Sequence, residues 1–303
     1  MPNLKDIRKR IGSVKNTQKI TRAMKMVAAA RLRRAQDRLV AARPYSRRMT
    51  MVIESLAARV EGDVHPLLEA RERRDNVLMI VVSSNRGLCG GFNGNLFRAV
   101  DHYIADRKVA GEKISIVPVG RKAQVHYGRG ANEVVRSFPD IIGDVSYKKA
   151  KELAGVAIEG FVGADFDAVY ICYNQFVSAI NYNSLVRPLL PLSLHDLTAD
   201  APAKPGAAAV DNDIMVAGEY IYEPDVNTLL AKLLPGHVEV QVLQALFESE
   251  AAEHGARMSA MESATNNASD MISRLTLQYN RARQAYITRE IVEIISGAES
   301  LKG

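Results

Sequence analysis

The sequence has no tryptophan, only two cysteines, and few aromatic residues, which make up 6% of the chain. Cys89 and Cys172 are too few for a disulfide scaffold and show no metal-ligand spacing, so a reducing compartment is expected. Scarce aromatics beside abundant Ala, Leu, Arg and Glu favour long helices over a β-rich fold. No apolar run approaches the roughly 20 residues of a spanning helix. The most continuous one, Val77 to Val82, has the length of a strand. Nor does an apolar segment follow the basic residues at the N-terminus, so no secretory signal is expected. Gly-Lys-Ser/Thr is missing, and histidines 65, 102, 126, 195, 237 and 254 form no His-x-x-x-His pair.

Acidic residues are also nearly missing from one end. Between Met1 and Arg48 there are 15 basic residues against Asp6 and Asp37, a net +13. The remainder holds 25 basic and 32 acidic residues, a net −7. Such a segment is built to meet an acidic partner. Within it, "TRAMKMVAAARLRRAQ" (Thr21 to Gln36) mixes apolar and cationic side chains with no acid at all. Nucleic acid, a membrane surface and a protein socket are the candidate partners.

What is present over the same stretch is a seven-residue repeat from Leu4 to Leu56. One series is Leu4, Ile11, Gln18, Lys25, Leu32, Leu39, Ser46 and Ile53. The other is Ile7, Val14, Thr21, Ala28, Ala35, Ala42, Met49 and Leu56; twelve of the sixteen positions are apolar. The repeat predicts a left-handed coiled coil about 80 Å long, with a close approach at the Ala positions. Gln18, Thr21 and Lys25 weaken the seam beside Ile20, Met24 and Val27, which face elsewhere. A lone lysine on a seam is unfavourable, so the Lys25 ammonium is expected to reach outward.

The middle of the chain alternates strands (Val77–Ser83, Ile114–Val119, Ala168–Tyr173) with helices near Leu96–Lys108, Arg121–Gly128 and Tyr147–Phe161. Alternation of this kind predicts an α/β domain with a largely parallel sheet. Ser184–Leu192, with Pro188 and Pro191, adds an edge strand. "TADAPAKPGAAAVDND", Thr198 to Asp213, reads as a loop or insert with no assigned role. After Glu223-Pro224-Asp225 the pattern is helical to the end. An interruption is expected at Pro235-Gly236, before a helix about 90 Å long over His237–Ile295. The fold class expected is α/β plus coiled coil, with long antiparallel terminal helices flanking the α/β domain. Its boundaries are 1–60 for the N-terminal helix, 75–197 for the domain, 198–222 for the insert and 223–303 for the C-terminal helix.

"SSNRGLCGGFNGN", Ser83 to Asn95, lies where a phosphate-binding loop would sit, between strand and helix. It lacks the Gly-x-Gly-x-x-Gly spacing, and a structural turn is the better reading. Cys89 reads as a buried or turn cysteine rather than a nucleophile, having no histidine near it in sequence. Asp165 and Asp167 read as a solvated turn. Basic residues without interleaved aromatics argue against a single-strand nucleic-acid groove. Near the end, "LTLQYNRARQAYITREIVEIISGAESL" carries polar and apolar groups on several sides, as a helix surrounded by other chains would.

"KNTQKITRAMKMVAAARLRRAQ", "RGLCGGFN" and "ARQAYITREIVEIISGA" resemble, in this order and over essentially the whole chain, the γ subunits of rotary ATP synthases. The resemblance implies a Rossmann-like middle domain between the terminal helices, and a non-catalytic central rotor shaft without cofactor or metal, inside a ring of three α and three β subunits. It couples proton flow through the membrane ring to ATP synthesis at the β sites. Further partners implied are the ε subunit and the membrane c-ring, with no nucleic acid and no membrane insertion. By the same resemblance Met24, Lys25, Arg257, Gln284, Thr288 and Glu290 meet β near its acidic lever loops and its catch loops. Asn85 stands where many relatives have Asp, and Ala30 where many have Ser. Without an organellar presequence or a cysteine-bearing insert, a bacterial type is implied, at the cytoplasmic face of the inner membrane. Two other classes remain open: a dinucleotide-binding oxidoreductase, tested by cofactor titration of residues 70–215, and a DNA-binding protein with steep salt dependence.

Overall fold

The computed structural model describes residues 4–57, 65–69, 71, 73–130, 132–192 and 225–300. Its elements are α1 (Leu4–Ala57), a 3₁₀ turn (Pro66–Leu68), β1 (Asn76–Val82), α2 (Phe92–Val109), β2 (Lys113–Val119) and α3 (Arg121–Tyr127). Then come β3 (Glu133–Val134), α4 (Tyr147–Val162), β4 (Ala168–Phe176), β5 (Tyr182–Leu190) and α5 (Val226–Ser300). Two long terminal helices and a central mixed sheet are therefore present, as the sequence indicates. The insert at 198–213 lies outside the described residues. The chain divides into two compact units, one of residues 1–30 with 257–303, the other of residues 31–256.

In the larger unit the sheet has the order β3-β2-β1-β4-β5. The β1–β2, β1–β4 and β2–β3 pairs are parallel, and β4–β5 is antiparallel. Alternation along β1 explains its unbroken apolar run, because both faces are covered. Val77, Met79 and Val81 pack with Leu96, Val100 and Ile104 of α2. Leu78, Ile80 and Val82 join Leu153, Ala157 and Phe161 of α4 on the other side. That second layer also takes Ile53 and Leu56 from α1, and Leu230, Leu234, Val238, Val242 and Leu246 from α5.

The expected break at Pro235-Gly236 does not occur. Helix α5 begins at Val226 behind Asp225, whose carboxylate accepts from the Thr228 amide at 2.8 Å, and runs through Pro235. A proline inside a helix costs about 3 kcal/mol. Leu230, Leu234, Val238 and Val242 surround it and are at most 3% exposed. At about 1.5–3 kcal/mol per buried side chain, their packing outweighs that cost. Gly236 contributes by its smallness: a Cβ there would lie 3.1 Å from Met49 Cε of α1. Strand β3 is a further difference, too short to leave any periodic signal.

In the smaller unit, α1 and α5 run antiparallel, since Lys25 pairs with Glu262 and Thr21 with Thr265. The seven-residue frame of α1 is the inner seam, with Ile7, Thr21 and Ala28 buried and Ile11, Val14, Gln18 and Lys25 half-buried. Ile20 and Val27 face out at 60% and 54% exposure, as the spacing requires, whereas Met24, expected to face out with them, is half-buried against the seam's edge. Helix α5 answers with Met261, Thr265, Ala268, Ile272, Leu275, Tyr279 and Ala282, again every third or fourth residue. Beyond this the pairing ends, and residues 283–298 are exposed without interruption.

Candidate functional site

An open α/β sheet binds ligands in the crevice where successive connections leave a strand in opposite directions. Here that place is the C-terminal end of β1, between β2 and β4. The segment Ser83–Asn93 fills it with its own hydrogen bonds. Asn93 Nδ2 donates to Ser84 Oγ (2.8 Å) and to Cys89 Sγ (3.4 Å), while Asn93 Oδ1 accepts from the Ser84 amide. Asn174 Nδ2 of β4 donates to Phe92 O at 3.0 Å.

The first three amides of α3 are also engaged. Those of Arg121, Lys122 and Ala123 donate to Asn85 Oδ1, Ser84 O and Ser83 Oγ respectively. These are the groups a phosphate would use at a helix N-terminus. Asn85 also ties the loop to Ile142 O through its amide nitrogen at 2.7 Å. Cys89 and Phe92 pack with Ala252 and Ala256 of α5, so the chain's own helix lies over the loop. Gly255 lets α5 come equally close to the β4–β5 turn, because a Cβ there would sit 2.8 Å from Ala179 O. The structural-turn reading is right, and Cys89, 2% exposed, is a packed residue. ATP titrated into the full-length chain should show no micromolar binding by calorimetry. Binding lost on changing Gly90 and Gly91 would overturn that expectation.

Asp167 is not a solvated turn residue. Its carboxylate accepts from the Asp75 and Asn76 amides at 3.0 and 2.9 Å and pairs with Arg71 at 2.9 Å. Partial burial pushes its pKa up, but the Asn76 and Asp75 amides and the Arg71 guanidinium outweigh this and hold it below the usual carboxylate value. In α5, Glu250 is shifted the other way. Desolvation raises its pKa, opposed by Arg38 at 3.5 Å and reinforced by Glu253.

The residues assigned to partner contact do not form one cluster. Met24 and Lys25 lie near Glu262 and Arg257 about 7.5 Å along α5 from it, all three half-buried. Gln284, Thr288 and Glu290 lie on the exposed stretch of α5. From Glu262, beside Lys25, to Gln284 is about 33 Å along the helix at 1.5 Å per residue. Lys25 departs from expectation: its ammonium is 2.6 Å from Glu262 Oε1 of the facing helix instead of reaching outward. Glu262 and Thr265 went unassigned in the sequence. Extending the seven-residue frame through α5 would have put Thr265 on the seam opposite Thr21.

A family profile described as ATP synthase matches residues 3–301. The chain is 48% identical, over all 303 residues and the full length of the relative, to the ATP synthase gamma chain of Trichlorobacter lovleyi. The chain belongs to the ATP synthase gamma chain family. The gamma chain of Geobacter sp. (strain M21) is also 48% identical over the full length of both chains. Among solved structures, one of the Euglena gracilis mitochondrial ATP synthase (OSCP/F1/c-ring, rotational state 3) aligns with a TM-score of 0.63 at 21% identity. It covers 98% of this chain and 94% of that one. A rotor structure of the same enzyme aligns with a TM-score of 0.60 at 22% identity, covering 94% of this chain and 98% of that one. The fold is that of these chains.

Proposed function

We propose that this chain is the central rotor shaft of a proton-translocating ATP synthase, turning within a ring of three α and three β subunits. Proton flow through the c-ring turns it, ε binds beside it, and the β sites make ATP; no bond is made or broken on the chain itself. It works as a peripheral protein at the cytoplasmic face of a bacterial inner membrane. Among the described residues no helix is long and apolar enough to cross a membrane.

The observation that carries this reading is the end of α5, bare on all sides over residues 283–298. Ile287, Ile291, Ile294 and Ile295 recur at helical spacing and form one apolar stripe. Gln284 continues the stripe one turn toward the N-terminus, Thr288 flanks it on one side and Glu290 on the other, while Arg289 and Glu293 pair on the far side at 3.0 Å. A shaft can bias three β conformers only by meeting them unequally, and a helix with unlike sides does so at each angle. Met24 and Arg257 supply contacts at the second level. Lys25 stands there too, with its ammonium already engaged by Glu262.

Replacing Gln284, Thr288 and Glu290 together by Ala should lower ATP-driven proton pumping in the assembled complex on the order of fivefold or more. Co-purified subunits, identified by mass, should be unchanged, because these side chains are exposed. Unaltered pumping would remove the three residues as β contacts. Failure of the unmodified chain to co-purify with ring subunits would remove the rotor assignment itself.

A further inference from the structure

The polar interruption of the α1 seam is matched, group by group, from the facing helix. Thr21, 8% exposed, donates to Gln18 O at 3.0 Å, and its Oγ1 lies 2.8 Å from the Thr265 hydroxyl. One turn on, Lys25 Nζ lies 2.6 Å from Glu262 Oε1. A seam of Ile, Val and Ala is nearly degenerate under sliding by one repeat, because apolar groups still meet apolar groups. The polar pairs lift that degeneracy. Moving α5 by seven residues would set Thr21 against Ile272 and Lys25 against Ser269. Only the native register satisfies both.

We propose that Thr21–Thr265 and Lys25–Glu262 form a register clip that prevents the two helices from slipping past each other under load. Lys25 is thus a positioning residue that acts through the facing helix, not a contact to a neighbouring subunit. The ion pair is 37% and 50% exposed, and such pairs add little to overall stability. Its effect lies in selecting one of several nearly equal alignments, a use well attested for isolated polar seam residues. The clip itself follows from the geometry of the helices. Its consequence under load rests on the rotor reading, and two measurements separate them.

Spin labels attached to Ile20→Cys and Asn266→Cys, both exposed, report the register of the full-length chain; Cys89 and Cys172 are buried and stay unlabelled. Lys25→Glu and Glu262→Lys should each broaden or lengthen the label–label distance distribution, and the Lys25→Glu/Glu262→Lys exchange should restore a single narrow one. In the assembled complex, protons pumped per ATP hydrolysed should fall several-fold in each single variant and recover to within about twofold in the exchange. Loss of thermal stability alone would not move that ratio. Distances unchanged in all variants would overturn the clip. A silent Glu262→Lys, with the exchange as defective as Lys25→Glu, would show that Lys25 answers an acid outside the chain, and would overturn it equally. Disturbed register with unaltered pumping would overturn the role under load while leaving the rotor assignment standing.

Discussion

A single methyl group added at Gly120 should lower the melting temperature of the sheet domain by roughly 6–12 °C, the largest stability effect expected from so small a change. Gly120 has φ +88° and ψ 150°, a region of backbone space open essentially to glycine alone. Its position is fixed from both sides. The Gly120 amide donates to Phe138 O at 2.9 Å, while the Ser83 amide reaches back to Val119 O at 2.9 Å. A Cβ would lie 2.4 Å from Ser83 O, in the residue whose hydroxyl accepts from the Ala123 amide at the start of α3. Neither the strain nor the clash can be relieved without separating β1 from β2, so about 3 kcal/mol or more is lost.

Gly143 provides the comparison. It has φ +100°, but nothing lies within 4 Å of a Cβ placed there, so Gly143→Ala bears the backbone strain without the clash. Scanning calorimetry of both variants should rank Gly120→Ala well below Gly143→Ala. Equal melting temperatures would mean that β1 and β2 are not held as closely as described.

Asp167→Ala should cost about 2–5 kcal/mol, because one carboxylate answers three donors. Its loss leaves the Asp75 and Asn76 amides without their acceptor and the Arg71 guanidinium without its counter-ion. Arg71 keeps only its bond to Phe161 O (2.7 Å) and its place over the Phe161 ring. The effect should depend on pH in one direction. The folded-state pKa of Asp167 lies below its ordinary value, so its stabilisation is fully present above the unfolded value of about 3.9. It is lost as pH falls through the folded value. Wild type and Asp167→Ala should therefore differ most near neutrality and converge in acid. A stability difference that stays constant from pH 7 down to strongly acidic conditions would rule out this carboxylate as the source.

How far the sequence spoke for itself varied with the range of the forces involved. The α1 frame was legible because a seven-residue repeat is a local record of one buried side, and Ile7, Ala28, Leu32 and Leu39 are indeed buried. The strands showed through because β1 is covered on both faces and must be apolar throughout. Pro235 misled, since a local penalty was outweighed by side chains arriving from the sheet layer. Asp167 looked like a turn residue because its partners Arg71, Asp75 and Asn76 are about ninety positions away in sequence. Lys25 was placed on the seam correctly but given the wrong direction, since Glu262 is 237 positions distant. Gln284, Thr288 and Glu290 are a different case. Their proposed partners belong to other chains, so no periodicity within this one could define what they touch.

That separation of 237 residues between Lys25 and Glu262 also bears on how the protein is made. A ribosome adds roughly 5–20 residues per second, so the N-terminal seam waits on the order of ten seconds or more for its complement. During that interval Ile7, Ile11 and Val14 have no native surface to cover them, beside a dense run of positive charge. The sheet, whose strands lie between residues 76 and 190, has all its own pieces far earlier. Maturation therefore runs from the middle outward, and the first segment translated is among the last to be finished.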